Sequence, residues 1–391
     1  MMNQRDKLKI SIAINSNLLL GGGGERTLIN YILSIPESYF EIFDIQILQT
    51  GYYDRIRLNR SIIDDLREKV TILDFPDYEE RLKRYKDRNS LFSIILYRAF
   101  LQRILERGTV KRLKSQLSDS DIVYLFHNGF SKYVSSNKTV VIGTLHEWQP
   151  NTLSLAGRIQ NFLVGHNLVW RRVNIFHATT QRGFEYLPKC KKENSFVLRS
   201  GIDTENFCLL TDESNQPQIK VLYVGRMLPC KGANIVLKAV NMLRNSVDVE
   251  LTVIGSGEME QLLEQGRYNW VKHYPNVSIL ELVSYYNSSD IFLFPSQCDN
   301  FGLVVLESVA CGCYPILDES MKGFFPDLEE RGYLHFASHN SEAVFNRLKE
   351  AADNIGAIRA TRGEASEYVR EHYSWSNVTN ELLGQIVSRI N

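Results

Sequence analysis

Several features that mark specialised classes of protein are missing from this sequence. Its 391 residues contain no uninterrupted apolar run close to the about 20 residues that a membrane-spanning helix needs. Proline is scarce, at ten residues. The apolar fraction of 44% and the charged fraction of 23% are ordinary for a globular protein, and they exclude a disordered, collagen-like or coiled-coil chain. The N-terminal segment MMNQRDKLKI lacks the apolar core of a secretory signal. We therefore expect a globular, cytoplasmic protein.

Cysteine is also scarce, and its spacing gives no indication of pairing. The six cysteines are Cys190, Cys208, Cys230, Cys298, Cys311 and Cys313. They form no CxxC pair, and their density is far below that of a disulfide-stabilised domain. The sequence thus predicts reduced thiols, as is usual in the cytoplasm, with no metal site among them.

A net charge is absent as well, because 45 basic residues balance 45 acidic ones. The balance conceals an asymmetry between the two halves of the chain. Residues 1–195 contain 29 basic and 20 acidic residues, and residues 196–391 contain 16 and 25. Net charges of +9 and −9 favour two halves that face different partners, the first an anionic one, although unrelated drift in surface charge would give the same counts.

Short apolar strands alternate with helical patterns in both halves. The predicted strands are Lys9–Asn15, Phe43–Leu48, Val70–Leu73, Asp121–Phe126, Thr139–Leu145, Ile219–Val224, Glu250–Ile254, Val277–Leu280 and Ile291–Phe294. This alternation predicts an α/β protein with parallel sheets covered by helices. Because the length exceeds what one core supports, we expect two doubly wound domains with ligands at the carboxyl ends of the strands. The expected domains are residues 1–198, with a C-terminal helix over 375–391 packing back onto them, and residues 199–374.

The segment FPSQCDNFGLVVLESVACGCYPI, residues 294–316, is the most informative part of the chain. A strand is followed by a loop with Asp299 and by a helix that begins near Leu303. The helix is apolar almost all round, so we expect it to be buried, with Glu307 leaning back toward the loop. Free amides at its start attract an anion. The alternative to a ligand-binding role is that Glu307 is stabilised only by the helix dipole and a local hydrogen bond.

A second segment, GRMLPCKG at residues 225–232, follows the strand Ile219–Val224 and precedes a helix. Its cations, Arg226 and Lys231, oppose the helix macrodipole unless an anion lies beside them. A diphosphate would remove this conflict, with Arg226 binding it in bidentate fashion and Lys231 acting as a point charge. Taken alone, the segment is equally consistent with two solvated loop residues.

Together, GRMLPCKG and the later DNFGLVVLESVACGCYPI resemble the retaining GT-B glycosyltransferases of family GT4. Five further segments are similar to motifs of that family, so the resemblance covers nearly the whole chain: VIGSGE, SGIDTENF, GGGGER, TLHEW and EHYSW. It implies two Rossmann-like domains that face each other across a cleft, the first on the acceptor side and the second binding the donor. It also implies transfer of a hexosyl unit from a UDP- or GDP-sugar, with retention and without a metal or other cofactor.

The resemblance implies a role for each matching residue. Arg226 and Lys231 would bind the donor diphosphate and stabilise the leaving group, Asp299 would accept hydrogen bonds from the transferred sugar, and Glu307 from the ribose. His146 would face the sugar from the first domain, which makes it the fifth expected catalytic residue. The other expected donor-binding residues are Gly22, Gly23, Gly225, Asn300, Phe301, Gly302, Leu303 and Val304.

Two departures from the family pattern keep alternatives open. Asp299 stands where the family usually has glutamate, and Val277–Asp290 lacks a turn that commonly touches the nucleobase, so the sequence does not decide between uridine and guanosine. A UDP-sugar 2-epimerase would share the fold and the diphosphate site. A non-catalytic homologue that binds a sugar nucleotide as an assembly partner is the third possibility.

The acceptor is indicated by one basic stretch in the first half. Residues 81–114 contain eleven basic and two acidic residues around the apolar run Leu91–Leu96. Such a stretch binds anionic lipid headgroups or phosphorylated lipid carriers, which leads to the hypothesis of a glycan or lipid-linked acceptor at the inner face of a membrane. A solvated helix face is the alternative. Nucleic acid is not an expected partner, because no RNA-binding signature accompanies the stretch.

Overall fold

A computed structural model describes most of the chain and divides it into two compact units. The described residues are 7–16, 18, 23–50, 60–75, 107–134, 139–145, 168–210, 217–264, 266, 268–299 and 302–390. The first unit consists of Met1–Leu198 with Thr379–Asn391, and the second of Arg199–Val378.

The first unit contains a parallel sheet of seven strands. These are β1 (Leu8–Ile14), β2 (Phe43–Gln49), β3 (Thr71–Asp74), β4 (Ile122–Leu125), β5 (Val140–Leu145), β6 (Ile175–Ala178) and β7 (Phe196–Val197), in the spatial order β3-β2-β1-β4-β5-β6-β7. The helices are α1 (Gly23–Leu33), α2 (Glu37–Phe40), α3 (Arg60–Lys69), α4 (Arg107–Ser118), α5 (Leu168–Arg172), α6 (Gln181–Glu185) and α7 (Lys189–Lys192), with a 3-10 helix over Asn128–Tyr133.

The second unit contains a parallel sheet of six strands. These are β8 (Ile219–Val224), β9 (Val249–Ile254), β10 (Lys272–Tyr274), β11 (Ile291–Phe294), β12 (Tyr314–Asp318) and β13 (His335–Ala337), in the order β10-β9-β8-β11-β12-β13. Its helices are α8 (Ala233–Leu243), α9 (Gln261–Glu264), α10 (Ile279–Ser288), α11 (Leu303–Ala310), α12 (Pro326–Glu330), α13 (Ser341–Asp353), α14 (Ile355–Tyr373) and the start of α15 (Trp375–Ile390). Short 3-10 helices cover Pro229–Lys231, Glu258–Glu260 and Glu319–Met321.

The predicted α/β class with two parallel sheets is confirmed, but one predicted strand is wrong. Within residues 277–280, Ser278 caps helix α10 and Ile279 begins it, and the edge strand of the second sheet is Lys272–Tyr274. The reason is a capping box, in which Ser278 Oγ accepts from the Glu281 amide at 3.3 Å and Glu281 Oε2 accepts from the Ser278 amide at 2.7 Å. This pair fixes a helix start that the apolar run alone did not indicate.

The inner strands β8 and β11 of the second sheet are buried on both faces, as expected for a parallel sheet between helices. Along β8, Leu222 and Val224 belong to one apolar cluster, whereas Val221 and Tyr223 belong to another. The central strand β11 divides its residues between the same two clusters. This double-sided burial holds the carboxyl ends of β8 and β11 rigidly beside each other.

Helix α15 completes the fold, and the division between the units falls within it, after Val378. In the first unit, Arg389 Nε donates to the carbonyl oxygen of Asn194 at 2.9 Å, and the guanidinium lies 5.0 Å from the ring centroid of Phe196.

Across the described ranges, no helix is both long and apolar enough to cross a bilayer.

A buried ion pair in the second unit gives a stability prediction. The guanidinium of Arg359 donates from Nε to Asp290 Oδ1 at 2.8 Å and from Nη2 to Oδ2 at 3.0 Å, and Asp290 is buried. Because Arg359→Ala leaves a buried carboxylate without its cation, we expect it to lower the free energy of unfolding by about 3–5 kcal/mol in urea titrations. Arg347→Ala removes an exposed pair with Glu350 and should cost less than about 1 kcal/mol. Equal losses in both variants would contradict this expectation.

Candidate functional site

Two loops meet at the carboxyl ends of β8 and β11, which are neighbouring parallel strands. The first loop follows Val224, and the second begins at Pro295. A backbone hydrogen bond joins them, since the Gln297 amide donates to the carbonyl oxygen of Cys230 at 2.9 Å. The two segments singled out in the sequence are therefore parts of one site, at the sheet edge where doubly wound folds bind ligands.

Lys231 is the centre of this junction. It is buried, and its Nζ donates to Asp299 Oδ2 at 2.6 Å and to the carbonyl oxygen of Cys298 at 3.1 Å. The ammonium also lies 5.6 Å from the ring centroid of Phe294. An ammonium has three N–H donors, so these contacts leave one of them for a ligand.

Asp299 connects the lysine to the start of helix α11. Its Oδ2 accepts from Lys231, and its Oδ1 accepts from the backbone amide of Gly302 at 2.8 Å. The carboxylate thus fixes both the cation and the first turn of the helix. Each oxygen has a further lone pair, so these protein contacts are compatible with hydrogen bonds to a bound ligand.

Gly302 occupies a position at which only glycine fits. Its φ is +61°, and a Cβ there would lie 2.9 Å from Phe325 Cζ and 3.0 Å from Met321 Cε. This left-handed residue directs the chain into α11, whose first amides have no partner within the helix. The helix start therefore presents N–H donors on the side of the loop that contains Asp299.

The expectation that α11 is buried all round is wrong for one face. Five of its eight residues, Val305, Leu306, Ser308, Val309 and Ala310, are buried. Leu303, Val304 and Glu307 are only partly buried, and their spacing places them on one side of the helix. These three predicted donor-binding residues consequently share the accessible face of α11.

Glu307 is oriented by a tyrosine that the sequence reasoning missed. The hydroxyl of Tyr286 donates to Glu307 Oε2 at 3.3 Å. Tyr286 is fully buried, with Phe207 and Phe292 packed edge-on to its ring. Burial, and next the charge of Glu307, raises the pKa of Tyr286 well above its ordinary value, so the hydroxyl stays a donor. The only signal for Tyr286 in the sequence is its position on the apolar face of α10, which indicates burial but not a contact with Glu307.

The first loop is positioned by a hydrogen bond from Tyr223 and by packing against the turn at Gly255. The buried Tyr223 hydroxyl donates to the carbonyl oxygen of Arg226 at 3.0 Å, while the Arg226 side chain is exposed. A Cβ on Gly255 would lie 2.0 Å from the carbonyl oxygen of Gly225, so the VIGSGE turn, residues 253–258, packs directly against this loop. The two predicted cations therefore differ in exposure. The Lys231 side chain is buried within the loop, whereas the Arg226 side chain extends from it toward solvent.

The cysteine prediction is wrong for two residues. Cys230 and Cys298 form a disulfide with their Cα atoms 5.8 Å apart. They are separated by 68 residues, and only the pairing of β8 with β11 brings their loops together. The remaining cysteines are free: Cys190 is exposed, Cys208 is partly exposed, and Cys311 and Cys313 are buried.

Some predicted site residues lie outside the described residues. These are Gly22, His146, Asn300 and Phe301, together with 81–106 of the basic stretch. Gly23 is the first residue of α1, and residues 107–114 lie in α4, where Leu113 is part of the first unit's core. Within the described ranges, no group of three or more His, Cys, Asp or Glu side chains could hold a metal ion. Membrane binding by residues 81–114 stays a prediction.

Comparison with known proteins agrees with this geometry. Residues 212–371, which include both loops and α11, match the family described as glycosyl transferases group 1. This part of the chain is similar to a glycosyl transferases group 1 domain. The resemblance to glycosyltransferases seen in the sequence is thereby confirmed for most of the second unit.

Relatives of known name support the same assignment. A D-inositol 3-phosphate glycosyltransferase of Paenarthrobacter aurescens is 29% identical over 183 residues, which are 43% of this chain and 44% of that protein. The capsular polysaccharide biosynthesis glycosyltransferase CapM of Staphylococcus aureus is 29% identical over 215 residues, 50% of this chain and 54% of CapM. The chain thus spans about half the length of the curated relatives it matches.

Solved structures extend the likeness in fold to nearly the whole chain. The crystal structure of Anabaena HepE in complex with UDP and glucose superposes with a TM-score of 0.70. The superposition covers 97% of this chain and 100% of HepE, at 15% sequence identity. At that identity the likeness concerns the fold, and it confirms the predicted GT-B class.

Proposed function

We propose that this protein is a retaining glycosyltransferase that moves a hexosyl unit from a UDP- or GDP-sugar to a glycan, lipid-linked or other polyhydroxylated acceptor without a metal. The second unit would bind the donor and the first the acceptor. The observation that carries the proposal is the 2.6 Å contact between Lys231 and Asp299, because it joins the two motifs of the family-matched segment in one site.

The charges at this site suit a departing nucleoside diphosphate. Breaking the bond at the anomeric carbon leaves negative charge on the diphosphate, which the enzyme must neutralise. Lys231 has an N–H to offer, Arg226 is exposed in the same loop, and the start of α11 presents backbone amides. Preorganised donors of this kind stabilise a developing anion strongly, and helix N-termini favour phosphate groups.

Specificity for a sugar nucleotide would come from the two carboxylates. Glu307 lies on the accessible face of α11 and is held by Tyr286, which suits hydrogen bonds from ribose hydroxyls. Asp299 would accept from hydroxyls of the transferred sugar. A structural neighbour, HepE, is described with UDP and glucose, which supports a donor of this class for the present protein.

A donor screen followed by a product assay tests the proposal. UDP- and GDP-sugars are first screened by thermal shift, because a ligand that binds the native state raises the unfolding temperature. The donor found is then incubated with and without a panel of glycan and lipid-linked acceptors. We expect free nucleoside diphosphate and a glycosylated product only when an acceptor is present. Epimerisation of the sugar without an acceptor, or binding without any turnover, would contradict a transferase.

A further inference from the structure

The disulfide lies next to the two charged residues at the centre of the candidate site. Cys230 directly precedes Lys231, and Cys298 directly precedes Asp299. The sulfur–sulfur bond therefore connects the two loops one residue away from the 2.6 Å contact between Nζ and Oδ2. No other pair of described cysteines is bonded, since the four that remain are free.

The bond controls how closely the two loops approach. Bonded sulfurs are about 2.05 Å apart, whereas two thiol sulfurs must separate to van der Waals distance, about 3.5–4 Å. Two hydrogen bonds between the described parts of the loops use backbone atoms of the bonded cysteines, because the Gln297 amide donates to the carbonyl oxygen of Cys230 and Lys231 Nζ donates to that of Cys298. The bond thus lies beside the groups that position Lys231, and a change in the sulfur–sulfur distance acts on those groups.

The two sulfur atoms belong to residues that solvent reaches. Cys230 is exposed and Cys298 is partly exposed, so a small thiol can attack the bond. By contrast, Cys311 and Cys313 are buried, and burial raises the pKa of the Cys313 thiol to about 12, which leaves it unreactive. Where thiols are kept reduced, accessible disulfides are usually transient and redox-sensing rather than structural.

We propose that Cys230 and Cys298 form a reversible redox switch that sets the affinity of the candidate site for the nucleoside diphosphate of the donor. The inference rests on the proposed function. The oxidised form binds more tightly because the bond holds Lys231 in place before the ligand arrives. In reduction, a dithiol supplies two electrons and two protons, becomes a disulfide itself, and leaves two cysteine thiols. In oxidation, a small-molecule disulfide accepts the two electrons and is released as two thiols.

The experiment titrates UDP and GDP separately into the protein before and after treatment with dithiothreitol, using calorimetry. We expect reduction to weaken binding of the accepted nucleotide at least fivefold, the lower limit of typical coupling between two sites. Alkylation and mass spectrometry should show two additional labelled residues after reduction, Cys230 and Cys298. Cys230→Ser and Cys298→Ser should bind like the reduced protein under both conditions, whereas Cys190→Ser, which removes an exposed free thiol, should respond like the wild type.

Linkage provides an independent readout. If oxidation tightens nucleotide binding, the bound nucleotide must make the disulfide harder to reduce by the same factor. Each tenfold difference in affinity should lower the midpoint potential of the pair by about 30 mV in a redox titration at saturating nucleotide. Equal affinities in the two redox states, or a midpoint that nucleotide does not shift, would overturn the switch alone. Absence of binding in both states would overturn the proposed function together with the switch.

Discussion

Lys231→Ala is expected to lower kcat/KM for the sugar nucleotide at least 100-fold. The lysine ammonium is held in place by Asp299 and a backbone carbonyl, so it can stabilise the leaving diphosphate without reorganising. Removing one such electrostatic contact typically costs about 100- to 1,000-fold in turnover. Steady-state kinetics with varied donor measure the effect. The matched control is Lys238→Ala, which removes an exposed lysine from helix α8 of the same unit and should leave the rates unchanged.

Loss of stability has to be separated from loss of catalysis in this variant. Without Lys231, Asp299 keeps its hydrogen bond to the Gly302 amide but loses its cation, and its side chain is only 17% exposed. The double variant Lys231→Ala/Asp299→Asn removes the uncompensated charge and should recover the wild-type unfolding temperature without recovering turnover. Kinetics close to wild type in the single variant would contradict the assignment of Lys231.

Glu307→Ala is expected to cause a loss of similar size, at least 100-fold in kcat/KM. In the proposed complex, its carboxylate accepts hydrogen bonds from the ribose, and a site built to bind a hydroxyl loses much affinity when that contact is broken. Glu367→Ala, at an exposed position on α14, is the control and should behave like the wild type. Tyr286→Phe removes only the hydrogen bond that orients Glu307 and should cost up to about tenfold.

A donor that lacks the ribose hydroxyls tests this role of Glu307 directly. With a 2′,3′-dideoxy donor, the wild-type protein would already lack the proposed contact that the substitution removes. Wild type and Glu307→Ala should therefore have the same low kcat/KM for that donor. A 100-fold difference between them that persists with the dideoxy donor would show that Glu307 acts on some other part of the reaction.

Eight strands, β1 to β5, β8, β9 and β11, and the two main motifs could be predicted from the sequence, because they depend on local patterns. An apolar run such as Ile291–Phe294 is a strand in the structure with the predicted limits. The sequence pattern predicts Lys231 and Asp299 between the end of a strand and the start of a helix, where the structure has them. The strand predicted at residues 277–280 is wrong because the Ser278–Glu281 capping box starts a helix there despite the apolar character of the run.

The remaining features depend on which strands are neighbours, and no local pattern contains that information. The Cys230–Cys298 bond and the Lys231–Asp299 pair both require β8 to lie beside β11. The open face of α11 depends in the same way on what packs against the helix. Its residues are apolar nearly all round, so the sequence could not distinguish a buried side from one that borders a site.

In the proposed complex, the diphosphate of a sugar nucleotide binds between the loop containing Lys231 and the start of helix α11. A crystal structure of the protein with its accepted nucleotide tests this claim most directly. It is predicted to show phosphate oxygens within about 3.2 Å of Lys231 Nζ and of a backbone amide at Leu303 or Val304. A nucleotide bound with its diphosphate away from both groups would contradict the account.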